Sequence, residues 1–332
     1  MASPMKLLIL QMSSIGNIVL STPVVRCLKK QLPGAVVHFC TKPDHAPIVD
    51  SNPYIDKVHY QAGSLYRLIR QLRAEQFDCV IDLQNNFTTA LIRKALGVQS
   101  YSVDNLGFRK WLYVRWKVNL MPSQHVVDRY LEALQPLGVK NDDFGLDYFI
   151  PYKDQVETDW LPPTHRDHYI AFAIGGRHAT NRLPIERLVE LCSKINHPIV
   201  LLGDKRDRVI GEQVEKQVGT KAIYNACGLF NLNQSASIIQ GAWVVFSHDT
   251  GLMQIAAAFR KKVFSIWGST TPNFGETPYK TSYLRLEKSG LSCRPCSLTG
   301  SGKCPKGHFR CMNELPFKFE EQQSRQQKEN LD

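Results

Sequence analysis

The chain has 332 residues, 43% of them hydrophobic and 21% charged, with 21 glycines and 18 prolines. That length suits two domains of roughly 150 residues each, and the composition excludes a low-complexity, collagen-like or disulfide-stapled chain. With 41 Lys and Arg against 30 Asp and Glu, the net charge of +11 favours an anionic partner. Nucleic acid, an acidic membrane surface and a phosphorylated substrate are the three classes to consider, against the plain alternative of a soluble surface that happens to be basic.

No RNP, zinc-finger or helix-turn-helix pattern is present, so nucleic acid is not expected as a partner. No apolar stretch approaches the ~18 residues needed to span a bilayer. The opening MASPMKLLIL carries only the run Leu7–Leu10 before Gln11, too short for a secretory core, and reads as the first buried strand of a cytoplasmic protein. The basic excess is uneven: Ala257–Cys311 has ten Lys and Arg against two acids, and Ser64–Lys117 has nine against four.

In chain order, short apolar runs alternate with helical ones. KLLILQM (6–12) predicts a strand, closed by the turn SSIGN, and 18–32 has helical spacing with Pro23 near its first turn. AVVHFC (35–40) is a second strand, Ser64–Ala74 a basic amphipathic helix, CVIDLQ (79–84) a strand, and 88–97 a helix closed by Gly97. The polar, Pro-containing stretch 151–168 reads as a linker. The alternation then restarts: strands over 169–175, 197–204, 243–249 and 263–268, and helices over 183–195 (Pro184 in its first turn) and 251–259. Strands separated by helices mean βαβ units and mainly parallel sheets. The expected division is residues 1–155, residues 165–317 with a Cys-rich end, and a polar tail over 318–332 that is a surface helix or frayed.

Three turns at strand ends have ligand-binding composition. Ser13-Ser14-Ile15-Gly16-Asn17 offers a close backbone approach and a helix start, without the Lys of a P-loop. Gly175-Gly176-Arg177-His178-Ala179-Thr180-Asn181-Arg182 suits a phosphate. Asp249-Thr250-Gly251 would present a hydroxyl and free N–H groups at a positive helix end, with Ala256–Ala258 allowing that helix to pack closely on its sheet. The plain alternative for each is a βα loop or a capped helix with no ligand. Five of the nine cysteines sit in apolar runs; the other four, Cys293-x2-Cys296-x7-Cys304-x6-Cys311, suit either a structural zinc or reduced thiols packing a C-terminal subdomain.

Together these stretches resemble the family 9 glycosyltransferases, the ADP-heptose:lipopolysaccharide heptosyltransferases. The resemblance covers about residues 5–317 and rests on SSIGN followed by IVLSTPVVR, the block His125–Tyr130, DTGLMQIAAA, and the C-x2-C…C-x3-GH-x2-C tail. It implies a GT-B architecture, two Rossmann-like domains with parallel sheets facing a central cleft. It also implies an inverting single displacement with an aspartate base and no catalytic metal, an ADP-sugar donor held by the C-terminal domain, and a phosphorylated glycolipid acceptor at the cytoplasmic face of the inner membrane. Thr180, Asn181, Arg182, Thr250, Gly251 and Gln254 are the implied donor-site residues. Asp207 is a candidate for the ribose, with surface solvation as its plain alternative. Ser13, Ser14, Gly16, His125 and Arg129 are candidates for the acceptor, the last two with a capped helix start and a structural ion pair (through Asp128) as the alternative.

The sequence departs from the family pattern where that pattern is charged or titratable. Asn17 stands at the usual base position, Gln11 where Arg or Lys is usual, Asn181 where Lys is usual, and Gln254 where His is usual. An amide can orient a hydroxyl but cannot take its proton. Arg177 and Arg182 flank Asn181 as substitute cations, and Asp82 and Asp249 are candidate substitute bases. Two functions follow as expectations: an active transferase, or a catalytically silent relative that binds a nucleotide sugar, a glycolipid or a partner transferase.

Overall fold

The structure is a computed structural model that describes residues 4–219 and 222–317; the expected polar tail over 318–332 lies outside the described residues. Two parallel sheets organise it. The first contains β1 (Lys6–Leu10), β2 (Val36–Thr41), β3 (Lys57–Tyr60), β4 (Cys79–Asp82) and β5 (Gln99–Ser102) in the order β3-β2-β1-β4-β5. The second contains β6 (Ile170–Ala173), β7 (Ile199–Leu202), β8 (Ile223–Asn225), β9 (Val244–His248), β10 (Lys262–Trp267) and β11 (Tyr283–Glu287) in the order β11-β10-β9-β6-β7-β8. In register, β1 sets Leu8 beside His38 of β2 and Val80 of β4, and β9 sets Val245 beside Ala171 of β6 and Val263 of β10.

The seven strands expected from apolar runs are the interior strands of these sheets. Their residues are almost all buried whichever face they point to, which is why each reads as a continuous apolar run rather than an alternating one. The four strands that sequence reasoning missed, KVHY, QSYS, IYN and YLRLE, are the four sheet edges.

The helix expected over 18–32 is two helices, Ile15–Leu20 and Thr22–Gln31. The break falls at Ser21, whose Oγ donates to the Ile18 carbonyl at 2.7 Å, while Thr22 Oγ1 donates to Val19 and Pro23 opens the second helix. The helix Phe87–Leu96 has a reciprocal capping box between Asn86 and Thr89 and ends on left-handed Gly97 (φ 67°). Helices Gly107–Trp116, Arg208–Val218 and Leu232–Gly241 were not anticipated, whereas the capped helix start weighed at His125 is the helix Val126–Glu132.

Two compact units result. Among the described residues, 4–107 and 123–149 form one, and 108–122 with 150–317 form the other. The helix Gly107–Trp116, which a boundary near 155 puts in the first domain, therefore packs almost entirely with the second unit. The stretch 151–168 is docked: Asp154 accepts hydrogen bonds from Asn231 Nδ2 (3.0 Å) and Asn233 Nδ2 (2.9 Å), and the Val156 N–H donates to Ser237 Oγ.

The first unit is tied by Arg26. Its buried guanidinium donates to both oxygens of Asp142 (2.7 and 2.8 Å), to Asp147 and to the Gly145 carbonyl, holding the helix Thr22–Gln31 to the segment 142–147. Removing one partner of such a group strands the others without compensation. Arg26→Ala is expected to destabilise this unit by about 3–5 kcal/mol, read as a lowered denaturant midpoint; an unchanged midpoint contradicts this account.

Candidate active site

In the second sheet the chain runs from β6 through β7 to β8, then returns to place β9 on the other side of β6. At such a reversal the adjacent loops diverge and leave a crevice at the strands' carboxyl ends. Three loops meet there: 175–183 after β6, 249–251 after β9 and 268–272 after β10.

The first loop is held at both ends by one ring. His248 ends β9 and is fully buried. The Leu183 N–H donates to its Nε2 at 3.1 Å, so Nδ1 carries the proton and donates to the Gly175 carbonyl at 3.2 Å. Burial pushes the imidazole down to about 4, which keeps it neutral and in this tautomer. Arg182 turns inward: Nε donates to the Gly176 carbonyl (2.6 Å) and Nη1 to Asp207 Oδ1 (2.7 Å). Asp207 also accepts the Asp204 N–H, and it fits because positions 175 and 203 are glycine; a Cβ there would lie 2.6 or 2.7 Å from its Oδ2. Asp207 is thus a buried partner of Arg182, neither solvated at the surface nor open to a ribose.

Thr180 and Asn181 are equally engaged. Thr180 Oγ1 lies 2.9 Å from Ser269 Oγ and accepts the Ser301 N–H at 2.8 Å. Asn181 Nδ2 donates to the Thr299 carbonyl (3.0 Å), and Ser269 Oγ donates to Asn181 Oδ1 (2.7 Å). The Cys296 N–H in turn donates to the Ser269 carbonyl. The Cys-rich segment therefore forms a wall of this loop. What the loop offers an anion is its backbone and the exposed Arg177.

Thr250 is the N-cap of the helix Gly251–Ala258, and its side chain makes no capping hydrogen bond, lying instead 3.2 Å from Ser247 Oγ. The Met253 N–H donates to the Thr250 carbonyl at 3.2 Å, so the Gly251 and Leu252 N–H groups and the positive helix end are what the turn offers an anion. Gln254, buried in that helix, donates to the Glu276 carbonyl at 2.7 Å, while its Oε1 is buried without a hydrogen-bond partner. Asp249 is half-buried and accepts from Thr270 Oγ1 at 2.9 Å. Burial pushes its carboxyl up to about 7, the Glu276 charge adds to that, and the Thr270 hydrogen bond opposes it. A carboxyl so placed holds or releases a proton near neutral pH.

The first sheet reverses between β1 and β4. Gln11, directly after β1, donates from Nε2 to Tyr130 OH (3.3 Å) and accepts from Ser13 Oγ (2.8 Å), which accepts from Asn17 Nδ2 (3.0 Å). Ser14 caps the helix Ile15–Leu20 by accepting the Asn17 N–H, so Gly16 and Asn17 lie in a helical first turn rather than in a loop. His125 caps the helix Val126–Glu132 by accepting the Val127 N–H on Nδ1, and Asp128 accepts from Asn141. The Gln11–Tyr130 bond joins this helix, which carries buried Arg129, to the Ser13–Asn17 turn. Asp82 is fully buried: Oδ1 accepts the Gln84 and Asn85 N–H groups, and Oδ2 lies 3.0 Å from Arg93 Nε. It is a fully buried, turn-forming carboxylate.

All nine cysteines are free. Cys296 donates to the Cys293 carbonyl, and burial pushes both Cys296 and Cys311 up to about 11, with their thiol neighbours adding to the effect. Among the described residues, the four late cysteines do not form a set whose sulfurs all lie within 4.8 Å of one another, so a zinc shell would need them to close up. Among the described residues, the three-ligand set within 4.8 Å is His38, His59 and Glu75. Glu75 there already binds Lys6 (2.7 Å) and Lys57 (2.5 Å), two cations that oppose a dication, while His38 Nδ1 and His59 Nε2 share a hydrogen bond of 2.9 Å.

Sequence reasoning missed Ser269, Thr270, Thr299, Ser301 and the structural role of His248. The signal for the first two was present: the GSTTP turn after β10 has the same strand-then-polar-loop pattern as the other two turns.

The fold is α/β, with polar loops gathered at a reversal of the second parallel sheet. Among solved structures it is similar to a family 9 glycosyl transferase from Veillonella parvula (TM-score 0.70, 20% identity, 87% of each chain). It is also similar to E. coli heptosyltransferase WaaC with ADP (TM-score 0.65, 21% identity, 89% of this chain and 96% of that one). These likenesses carry the GT-B fold. Lipopolysaccharide heptosyltransferase 3 of Escherichia coli K12 is 26% identical over 281 residues, 77% of this chain and 80% of that protein. The profile of glycosyltransferase family 9 (heptosyltransferase) matches residues 65–302, and the chain belongs to that family.

His38, His45, His59, His165 and His248 are all held below the usual 6.5, chiefly by burial. Between their folded and unfolded values the unfolded chain binds more protons on these histidines, so their contribution is complete above pH 6.5 and is lost as the pH falls toward about 4; the five together outweigh Asp249, whose raised carboxyl acts in the opposite sense below about 7. The melting temperature is expected to fall steadily from about pH 7 to about pH 5; a flat profile contradicts the neutral assignments.

Proposed function

We propose that the chain transfers heptose or a related sugar from an ADP-sugar to a phosphorylated glycolipid core, with inversion, acting in the cytoplasm at the inner membrane surface. The observation that carries this reading is the pairing, at the β6–β9 reversal, of a helix start without a side-chain cap and a carboxyl poised near neutrality. Backbone N–H groups at Gly176 and Gly251, the Thr250 hydroxyl and Arg177 would receive the diphosphate, while His248, Arg182, Asp207, Thr180 and Asn181 hold the loop in place. Gln254 would close the donor side through its unpartnered oxygen.

Asp249 is the proposed base. It takes the proton of the acceptor hydroxyl as that oxygen bonds to the anomeric carbon and the diphosphate leaves with the electron pair of the broken bond. Ser13, Ser14, Gly16, Asn17, His125 and Arg129 are the proposed acceptor-binding residues of the first unit. The names of the relatives, lipopolysaccharide heptosyltransferases, and the ADP in one similar structure support the choice of donor and acceptor.

One observation favours a second reading, a silent relative that binds the same ligands. The Gln11–Ser13–Asn17 chain is neutral throughout and contains no group that accepts a proton. Calorimetry with ADP and ADP-heptose, followed by transfer to a core acceptor, separates the two: binding with turnover supports the transferase, binding without turnover the silent relative, and absence of nucleotide binding contradicts both. For the transferase, kcat/KM should rise with pH through about 7. Asp249→Asn should remove that limb and lower kcat by roughly 100-fold or more while ADP still binds; retention of the limb contradicts the role of Asp249.

A further inference from the structure

The helix Gly107–Trp116 has two distinct sides. Lys110, Tyr113 and Lys117, spaced three and four residues apart, seat it on the second unit. Lys110 lies 3.9 Å from Glu276, Tyr113 OH accepts from Asn273 Nδ2 at 2.9 Å and its ring meets Phe274 edge-on, and Lys117 Nζ donates to the Pro295 carbonyl at 2.6 Å. Phe108, Trp111 and Arg115 share the opposite side, and no residue of the helix is buried. Phe108 is 71% exposed and Trp116 67%, Trp111 stacks on Phe108, and Val118 and Leu120 extend the apolar surface past the helix end. Exposed Arg109 and Arg115 supply the charge, and the sequence has no acid between Asp104 and Asp128.

A patch of exposed rings set among cations with no acid is unlike a solvated face, which mixes both signs, and unlike a protein core seam, which excludes charge. It matches a helix lying in a bilayer interface: rings enter the headgroup boundary and guanidinium groups meet anionic lipid phosphates. We propose that this helix and the following residues through Leu120 are a docking surface for an anionic lipid bilayer. The proposal commits to the bilayer because the positive charge of Arg109 and Arg115 complements lipid phosphate and because the exposed rings of Phe108, Trp111 and Trp116 suit the headgroup boundary. It deepens the glycolipid-acceptor reading by placing the protein where such an acceptor resides. It fails independently of that reading, because vesicle binding needs neither nucleotide nor acceptor.

The test is co-sedimentation of the full chain with phosphatidylcholine vesicles with or without about one-third phosphatidylglycerol, at low and at high salt. Binding is expected to be at least 10-fold tighter with phosphatidylglycerol and to weaken in salt. Trp111→Ser with Trp116→Ser, and separately Arg109→Gln with Arg115→Gln, should each reduce binding at least 10-fold while leaving ADP binding and circular dichroism unchanged. Equal binding to neutral vesicles, binding that survives both double variants, or concentration-dependent self-association abolished by the Trp changes would each overturn the proposal. The last would assign the surface to a second copy of the chain.

Discussion

The second unit depends on one neutral imidazole. With Nε2 accepting from Leu183 and Nδ1 donating to Gly175, His248 fixes the start and the end of a loop that otherwise has little regular structure. Protonation would replace the acceptor with a donor facing Leu183 N–H, so the loop's geometry and the ring's charge state are one constraint. Arg182 and Asp207 extend the same logic inward, and the glycines at 175 and 203 exist at that spacing because the carboxylate fills the place of their side chains. Loop rigidity of this kind is what a site for a flexible diphosphate requires: the order is established before the ligand arrives.

The same wiring changes how the phosphate-loop side chains are understood. By composition alone, Thr180, Asn181 and Arg182 look like ligands, because hydroxyl, amide and guanidinium groups are what a phosphate binds. In the folded chain their partners are Ser269, Thr299, Ser301, Gly176 and Asp207, four of these contacts reaching across 25 to 121 residues. No local pattern encodes such a pairing. The Cys-rich segment acquires a purpose from it: Gly300 packs so closely on His178 and Asn181 that a Cβ would lie 2.7 Å from His178 Cβ. The Cys296 N–H, donating to the Ser269 carbonyl, ties the same segment to the loop after β10.

How much of the fold was legible follows from burial. Interior strands such as LLIL and VVF are shielded on both faces and announce themselves as apolar runs. The edge strands KVHY and QSYS face solvent on one side and carry polar residues, so their identity comes from pairing with a neighbour rather than from composition. The helix Gly107–Trp116 was missed because its rings face outward, leaving no apolar stripe toward a core. The turns at the two reversals were legible as strand-loop-helix punctuation, and Asp249 was found there. Its poise near neutrality was not legible, because burial and Glu276, 27 residues further on, create it.

The central claim is that the loops after β6 and β9 form a nucleoside-diphosphate site whose anion contacts are mainly backbone. Amide hydrogen exchange with and without saturating ADP tests it directly, because it reports on those N–H groups themselves. The account predicts slowed exchange in peptides covering 175–183 and 249–254, with the β1–Asn17 segment unaffected by ADP alone. Protection confined to other segments, in a protein that demonstrably binds ADP, would contradict it.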